Sequence, residues 1–510
     1  MRALTDDTHS GGLREKCGVF GAYGLEDAAA IAVFGLHALQ HRGEEGAGVI
    51  TYNNEANTFH DRRSVGRVME IFNDANALKR DLPGNAAIGH VRYSTQGGSS
   101  SRNLQPLYAD LDVGGFAIAH NGNLTNALTL RRDLVKAGAI FHSLADTEVI
   151  VHLVARSRED TVLGRFVDAL SQLEGGYALV GLTDEFAIGA RDPLGIRPLV
   201  LGRKDGAYVL VSETCALDMI DATFERDVAP GEIVLLHGHS IKSFSLYAEA
   251  KARDLPLAMP PGPMRPCLFE YVYFSRPDSK MNGRSIYDGR KRIGAELFAE
   301  HPRNVDVVVP VPDSGVPAAL GYAQSAGLPF ELGIIRNHYA GRTFIQPTQQ
   351  IRQQGVRRKH SANRAVIEGK RVLLIDDSIV RGNTSRQIVE IVKEAGPKEI
   401  HFLSASPMVT HPDYYGIDMP AQHELLANRK SLQEMRLELK VESLGFLSID
   451  GLYMALGAGP RDAAAPLFAD HYFTGEYPTA RTDIANGLID PDAPRGHATR
   501  QQHLDLGVRA

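Results

Sequence analysis

Two groups of residues in this 510-residue chain have the types and spacing to do chemistry. One is the run 371–385, RVLLIDDSIVRGNTS. Its apolar stretch, 372–375, is bounded by charge and reads as a buried strand. Asp376 and Asp377 follow at once, then Ser378, Arg381, Gly382, Asn383, Thr384 and Ser385, and then a helical pattern through QIVEIVKEAG. The N–H groups and hydroxyls of such a turn can surround a phosphate, and the helix start adds partial positive charge. Carboxylates beside a phosphate repel it unless they face ribose hydroxyls or a bridging Mg2+. The pattern therefore favours a phosphorylated ribose. No G-x-x-x-x-G-K-[ST] occurs, which argues against a nucleoside triphosphate in a P-loop.

The other group lies in the first half. It comprises Cys17, the stretch GHVRYSTQG (89–97), the stretch AHNGNLTN (119–126) and the acid of SLADTE (143–148). A thiolate is a strong nucleophile toward an amide carbonyl, but it needs a base. If residues 1–16 are removed as a propeptide, Cys17 gains a free α-amine whose reference pKa of ~7.7–8 lets it accept the thiol proton. The Asn121 side-chain amide and the Gly122 N–H could hold the oxyanion of the intermediate. Arg92 and Asp146 could clamp the carboxylate and amine of an amino-acid substrate. Each residue alone has a plainer reading. Cys17 could be a buried core residue, Asn121-Gly122 a hairpin turn, and Arg92 a strand-edge ion pair. Their joint occurrence in this order favours the chemistry.

The elements that must position these groups differ between the halves. Strand-like segments at 86–91, 113–119, 177–182, 187–190, 208–212 and 232–236 alternate in groups with helical patterns at 28–39, 124–137, 147–156 and 163–173. That grouping predicts layered α+β packing. A proline-dense stretch within 251–266 reads as an interdomain linker. The aromatic run CLFEYVYF, starting at Cys267, reads as a buried strand, followed by a polar loop and a basic helix from Ser285. Strand 305–311, helix 316–326, strand 372–375, helix 384–395 and strand 399–405 then alternate, as in a parallel α/β core. Ligands of such sheets sit at the C-terminal strand ends, so Pro312–Gly315 and Asp376–Ser385 are expected to meet over one site. The basic stretch 334–364, which includes Arg342, reads as a loop that closes on pyrophosphate and excludes water. Periodicity fades near Gly475, and 476–510 reads as a loosely ordered tail.

Composition narrows the class. With 43% hydrophobic and 23% charged residues the chain is an ordinary globular protein of two or more domains. A net charge of -6 gives no footprint for nucleic acid. No run of ~18 apolar residues suggests a membrane span, and the N-terminus lacks the apolar core of a signal peptide. Three cysteines, Cys17, Cys215 and Cys267, without a CxxC fit a reducing cytoplasm. The scattered histidines show no metal-ligand spacing.

The first-half motifs CGVFG, QHRGEEGAG, HVRYST and AHNGNLTN resemble the class II glutamine amidotransferases. The resemblance implies a four-layer αββα N-terminal-nucleophile hydrolase domain over 17–250. It makes Cys17 the nucleophile, with Asn121 and Gly122 as the oxyanion hole and Arg92, Thr95 and Asp146 at the glutamine. The 371–385 run resembles the binding loop of type I phosphoribosyltransferases, which implies a parallel-sheet domain over 267–475. Asp376, Asp377 and Ser314 would then hold Mg2+. Ser378, Arg381, Gly382, Asn383, Thr384, Ser385 and Arg342 would contact phosphoribosyl pyrophosphate (PRPP).

Together and in this order, the halves resemble the glutamine PRPP amidotransferase family. That implies amination of PRPP to 5-phosphoribosylamine with ammonia passed between sites, the first committed step of purine synthesis. It also implies a cytoplasmic homotetramer, inhibited by AMP and GMP, with no nucleic-acid or membrane partner. Some members carry a [4Fe–4S] cluster on four cysteines. Here only Cys267 matches. Asp413 stands at a second ligand position, and no cysteine precedes FTGEYPT, so no cluster is expected. Other class II amidotransferases, or a non-catalytic nucleotide-sensing regulator, are the competing readings. The 371–385 run opposes the first, and the Cys17 constellation opposes the second.

Overall fold

The computed structural model describes residues 17–93, 101–337 and 360–492. The first half opens with β1 (Gly18–Tyr23), α1 (Ala28–Ala38), β2 (Gly46–Asn53), β3 (Thr58–Val65), α2 (Val68–Ile71), α3 (Ala75–Asp81) and β4 (Ala86–Arg92). It continues through β5 (Leu107–Leu111), β6 (Gly114–Leu124), α4 (Ala127–Lys136), α5 (Thr147–Arg156), α6 (Val162–Ser171), β7 (Gly175–Leu182) and β8 (Ala187–Arg191). It closes with β9 (Val200–Lys204), β10 (Ala207–Val211), α7 (Thr214–Met219), β11 (Thr223–Asp227), β12 (Glu232–His237), β13 (Ser240–Ser245) and α8 (Leu246–Ala252).

These strands form two stacked antiparallel sheets, ordered β11-β9-β10-β1-β4-β2-β3 and β13-β12-β8-β7-β6-β5. Alternation along each strand sorts side chains between two faces. Val19, Ile50 and Ile88 of one sheet meet Ala117, Ala178 and Val180 of the other. Phe20 and Val49 face outward to α1, while Phe116 and Tyr177 face α5 and α6. Strands buried on both faces need a helical layer on each outer side, and the result is the expected αββα sandwich.

The second half carries β14 (Lys280–Met281), β15 (Arg284–Ser285), α9 (Ile286–Glu300), β16 (Val307–Pro310), α10 (Val316–Ala326), β17 (Ile334–Arg336), β18 (His360–Ala362), β19 (Arg371–Asp376), β20 (Glu399–Ser404) and β21 (Ser443–Phe446). Strands β16-β19-β20-β21 form a parallel sheet. Leu373 and Ile375 pack with α9 and α10, whereas Val372 and Leu374 pack against Ile388 and Val389 of the helix Asn383–Lys393. Both faces are covered, as a parallel sheet requires.

Two segments differ from the sequence expectation, and a third adds detail to it. The aromatic run after Cys267 is not a strand. Cys267 makes one isolated bridge to Ala469, and Glu270–Phe274 form a π-helical turn. The turn buries Glu270, Tyr271, Val272 and Phe274 together and brings the Glu270 carboxylate to the buried Arg42 and Arg197. The proline-dense linker lies against the first half, with Ala258 N–H donating to the Ser171 carbonyl at 2.7 Å and Met259 buried. Residues 476–492, expected to be loose, dock on the first half. The Asp483 carboxylate accepts from the Leu128 and Thr129 N–H groups, at 2.8 Å each, at the start of α4. Polar caps hold this segment rather than an apolar face, so hydrophobic periodicity could not reveal it.

Candidate active sites

Cys17 stands at the head of β1, between β10 and β4 in the centre of its sheet. Arg42 Nε donates to its carbonyl at 3.1 Å. Arg92 ends the adjacent β4, whose Val91 pairs with Gly18. Its buried guanidinium donates to the Asn103 carbonyl. Burial lowers the Arg92 pKa, and the charges of Cys17, Glu45 and Asp146 oppose that shift, so these groups share one electrostatic neighbourhood.

The other sheet supplies Asn121 and Gly122 from β6. Asn121 is fully buried; its Nδ2 donates to Ser212 Oγ at 3.3 Å, and its Oδ1 accepts from Arg197 Nη2 at 3.4 Å. Gly122 has φ +147°, and a Cβ there would collide with the Gly176 carbonyl oxygen, so only glycine fits. Asp146 caps α5, accepting from Thr147 N–H at 2.9 Å and Leu124 N–H at 3.0 Å, with His120 Nδ1 at 3.5 Å. Burial alone would raise the Asp146 pKa, but His120 and the two N–H donors bring it below its ordinary value. His90, buried beside the His120 carbonyl, is lowered to about 3 by burial and the nearby Arg92 charge. Thr95 lies outside the described residues.

In the second half, Asp376 ends β19, and Asp377 follows it. Both are almost fully buried. Asp377 N–H donates to Asp376 Oδ1 at 3.0 Å, and Ser378 N–H to Asp377 Oδ1 at 2.8 Å. Burial and the neighbouring Asp377 charge push Asp376 upward, and burial raises Asp377 as well. Asp377, Ser314 and Arg290 line one small cavity, so the β16 and β19 strand ends do meet. Gly382, at φ +78°, leads into the helix Asn383–Lys393, and no side chain caps that helix or α10. The first-turn N–H groups of both helices thus take no bond from a cap side chain. Ser385 is buried in the first turn. Arg381 is tied to Glu424 instead, by Nε at 3.0 Å and Nη2 at 2.8 Å. Arg342 lies outside the described residues.

A buried network joins the two sites, and sequence reasoning missed it. Glu270 Oε1 faces Arg42 Nη2 at 2.6 Å and Arg197 Nη2 at 2.9 Å. Glu213 also pairs with Arg42 and accepts from Ser279 Oγ at 2.8 Å. Burial would raise the Glu270 pKa, but Arg42 and Arg197 hold it down. Arg290 donates to the Tyr271 carbonyl at 2.8 Å and the Ser275 carbonyl at 2.8 Å, at the other side of the same turn. A glutamate inside CLFEYVYF was the available signal, because an acid in an apolar run requires a buried cation.

A glutamine amidotransferase domain model matches residues 90–219, and a phosphoribosyl transferase domain model matches 282–406. The amidophosphoribosyltransferase of Rhizobium etli is 54% identical over 481 residues, which is 94% of this chain and 95% of that protein. The chain belongs to the amidophosphoribosyltransferase family. The Bacillus subtilis member is 45% identical over 92% of this chain and 95% of its own. A solved structure of the B. subtilis glutamine PRPP amidotransferase, complexed with ADP and GMP, overlays with a TM-score of 0.83 at 43% identity. It covers 91% of this chain and 98% of that one.

The residues at the family's cluster positions do not fit an iron–sulfur cubane, which takes four thiolates. Cys267 is buried, its thiol pushed up to about 12 by burial, with Sγ 3.6 Å from the Tyr472 hydroxyl. Asp413 Oδ1 pairs with His471 Nε2 at 2.7 Å. Cys215, also buried, has its pKa raised by burial and the Glu213 charge. Among the described residues, no three His, Cys, Asp or Glu side chains gather as metal ligands, and no helix is long and apolar enough to cross a membrane.

Proposed function

We propose that this chain aminates PRPP with the amide nitrogen of glutamine, giving 5-phosphoribosylamine, glutamate and pyrophosphate, the first committed step of purine synthesis. The observation that supports this reading is the Glu270–Arg42–Arg197 network, which ties the second half to Arg42 at the Cys17 carbonyl and to Arg197 at Asn121.

Cys17 attacks the glutamine amide, with its α-amine, freed by removal of residues 1–16, taking the thiol proton. The second Asn121 Nδ2 hydrogen and the Gly122 N–H receive the oxyanion. Arg92 and Asp146 hold the substrate carboxylate and amine, with Thr95 beside them. The intermediate collapses to a thioester as its C–N bond breaks and the α-ammonium returns its proton to the departing ammonia; water then hydrolyses the thioester to glutamate and frees the thiol. Ammonia crosses to the second site, attacks the anomeric carbon and displaces pyrophosphate with inversion.

The buried Asp376–Asp377 pair beside Ser314 suits a divalent cation, since two adjacent carboxylates without a cation hold protons instead. Mg2+ bound there would neutralise pyrophosphate charge. Ser378 and the run Gly382, Asn383, Thr384 and Ser385 orient the 5′-phosphate, with Arg381 at the edge of that turn and Arg342 in the closing loop. The B. subtilis structure with ADP and GMP supports purine nucleotides as feedback ligands. A cytoplasmic homotetramer completes the reading, to be checked by light scattering.

The test is glutamate release by purified protein whose N-terminus is established by intact mass, with and without PRPP and Mg2+. Activation by PRPP supports both sites. Indifference to PRPP removes the second-site reading. No activity with Cys17 exposed favours the non-catalytic regulator.

A further inference from the structure

The turn 412–417 of the second half lies directly on the end of strand β6 that carries Asn121 and Gly122. Asn123 Nδ2 donates to the Tyr414 carbonyl at 2.8 Å. A Cβ on Gly416 would fall 3.2 Å from Gly122 Cα and 3.5 Å from Arg197 Cζ, and Gly416 itself has φ +134°. A Cβ on Gly176, whose carbonyl faces Gly122, would fall 3.0 Å from Tyr415 Cβ. The second half thus forms the back wall of the β6 strand end that carries the oxyanion donors.

One carboxylate holds that wall in shape. Asp413 Oδ2 accepts from the Tyr415 N–H at 2.9 Å and the Ile417 N–H at 2.5 Å. Its Oδ1 faces His471 Nε2 at 2.7 Å, and neither side chain is more than 1% exposed. The imidazole is fixed by rings, with Tyr415, Tyr472 and Tyr477 centroids at 4.9, 4.6 and 4.9 Å. Such an acceptor sets the direction of the turn, because two N–H groups and an imidazole must all meet one planar group.

We propose that Asp413, anchored by His471, is a positioning residue for glutamine hydrolysis: it presses the 414–416 backbone against Gly122 and so fixes the aim of the oxyanion donors. The inference rests on the reading of Gly122 given above. Asp413 belongs to the domain that carries the PRPP site. A residue that merely stabilises its own domain would affect PRPP amination from added ammonia. A positioning residue for the other site would leave that reaction alone.

The experiment compares glutamine-dependent and ammonia-dependent phosphoribosylamine synthesis in the full-length processed enzyme, for Asp413→Ala, Asp413→Asn and Gly416→Ala. Asp413→Ala is expected to lower kcat with glutamine about tenfold or more, since a displaced oxyanion donor acts on the transition state. KM for glutamine and the ammonia-dependent rate should stay within about twofold. Asp413→Asn keeps an acceptor for the two N–H groups and should recover most of kcat. Gly416→Ala leaves the Asp413–His471 pair intact while pushing on Gly122 and should reproduce the kcat loss; it is the deciding variant if Asp413→Ala does not fold. An equal fall in both activities, or an unchanged kcat with glutamine, overturns the proposal. Gly122→Ala separates the two readings. If it keeps glutamine activity, the Gly122 assignment itself fails; if it loses that activity while Asp413→Ala and Gly416→Ala do not, only the positioning role fails.

Discussion

Glu270 of the second half closes its carboxylate on Arg42 of the first at 2.6 Å, and both side chains are sealed from solvent. The same Arg42 holds the Cys17 carbonyl at 3.1 Å. Removing one partner of a buried ion pair strands the other, so Glu270→Ala should destabilise the protein by about 3–5 kcal/mol. Glu270→Gln, which keeps an acceptor for one guanidinium, should cost less. Urea denaturation of the two variants checks the order. A Glu270→Ala protein as stable as the parent would mean that the pair does not join the halves.

Gly122 permits no side chain. Its φ of +147° and the facing Gly176 carbonyl exclude a Cβ. Gly122→Ala should reduce glutamine hydrolysis by about a hundredfold or more, the scale of losing one oxyanion donor. Amination of PRPP by added ammonia should survive, because Gly122 belongs to the first-half sheet and Asp376 to the parallel sheet of the second half. Parallel assays with glutamine and with ammonium salt decide it.

The Asp376–Asp377 pair predicts a proton linkage. Burial raises the folded pKa of both carboxyls above 3.8, and the Asp377 charge raises Asp376 further. A raised carboxyl contributes stability below its unfolded pKa, and that contribution is lost as pH rises through the folded value. Binding of Mg2+ with PRPP requires the ionised form, so it should strengthen over that window and release protons. Calorimetry in buffers of different ionisation enthalpy reads this directly. Binding heats that do not depend on the buffer would contradict the linkage.

Asp146 behaves in the opposite sense. His120 and two backbone donors hold it below its ordinary 3.8. Its contribution to stability is therefore present above 3.8 and is lost only as pH falls through the depressed folded value. As the anchor of the substrate amine, it should remain charged throughout the working range. KM for glutamine should then stay flat from about pH 8 to about pH 5, since an ordinary carboxyl is already ionised there. A KM that climbs between those limits would remove Asp146 from the glutamine site.

Much of this arrangement was legible because short-range rules governed it. Short apolar runs announced the strands, and the strand–Asp–Asp–small-residue–helix order announced the turn at Gly382 and the helix that starts at Asn383. The misreadings arose where distant groups took over. A carboxylate aimed at Arg42 and Arg197 sits in the Cys267 aromatic run, which forms a π-helical turn, and no local pattern encodes a partner such as Arg42, 228 residues away. Asp413 read as a missing ligand because sequence shows what a position lacks but not that His471 lies 2.7 Å from it. Glu424, which accepts from Arg381 at 3.0 Å, lies 43 residues along the chain and left no local signal.

The docking of Asp483 on α4 has a consequence for how the molecule comes into being. The Thr129 N–H waits for an acceptor 354 residues further along the chain. A polypeptide made from its N-terminus therefore finishes the Cys17 half long before the residues that cap its fourth helix exist. Until then the Leu128 and Thr129 N–H groups have only water to bond. The amide-cleaving half is thus completed last by the same stretch of translation that completes the consumer of its ammonia, and a nascent or truncated chain is denied the fit of the whole.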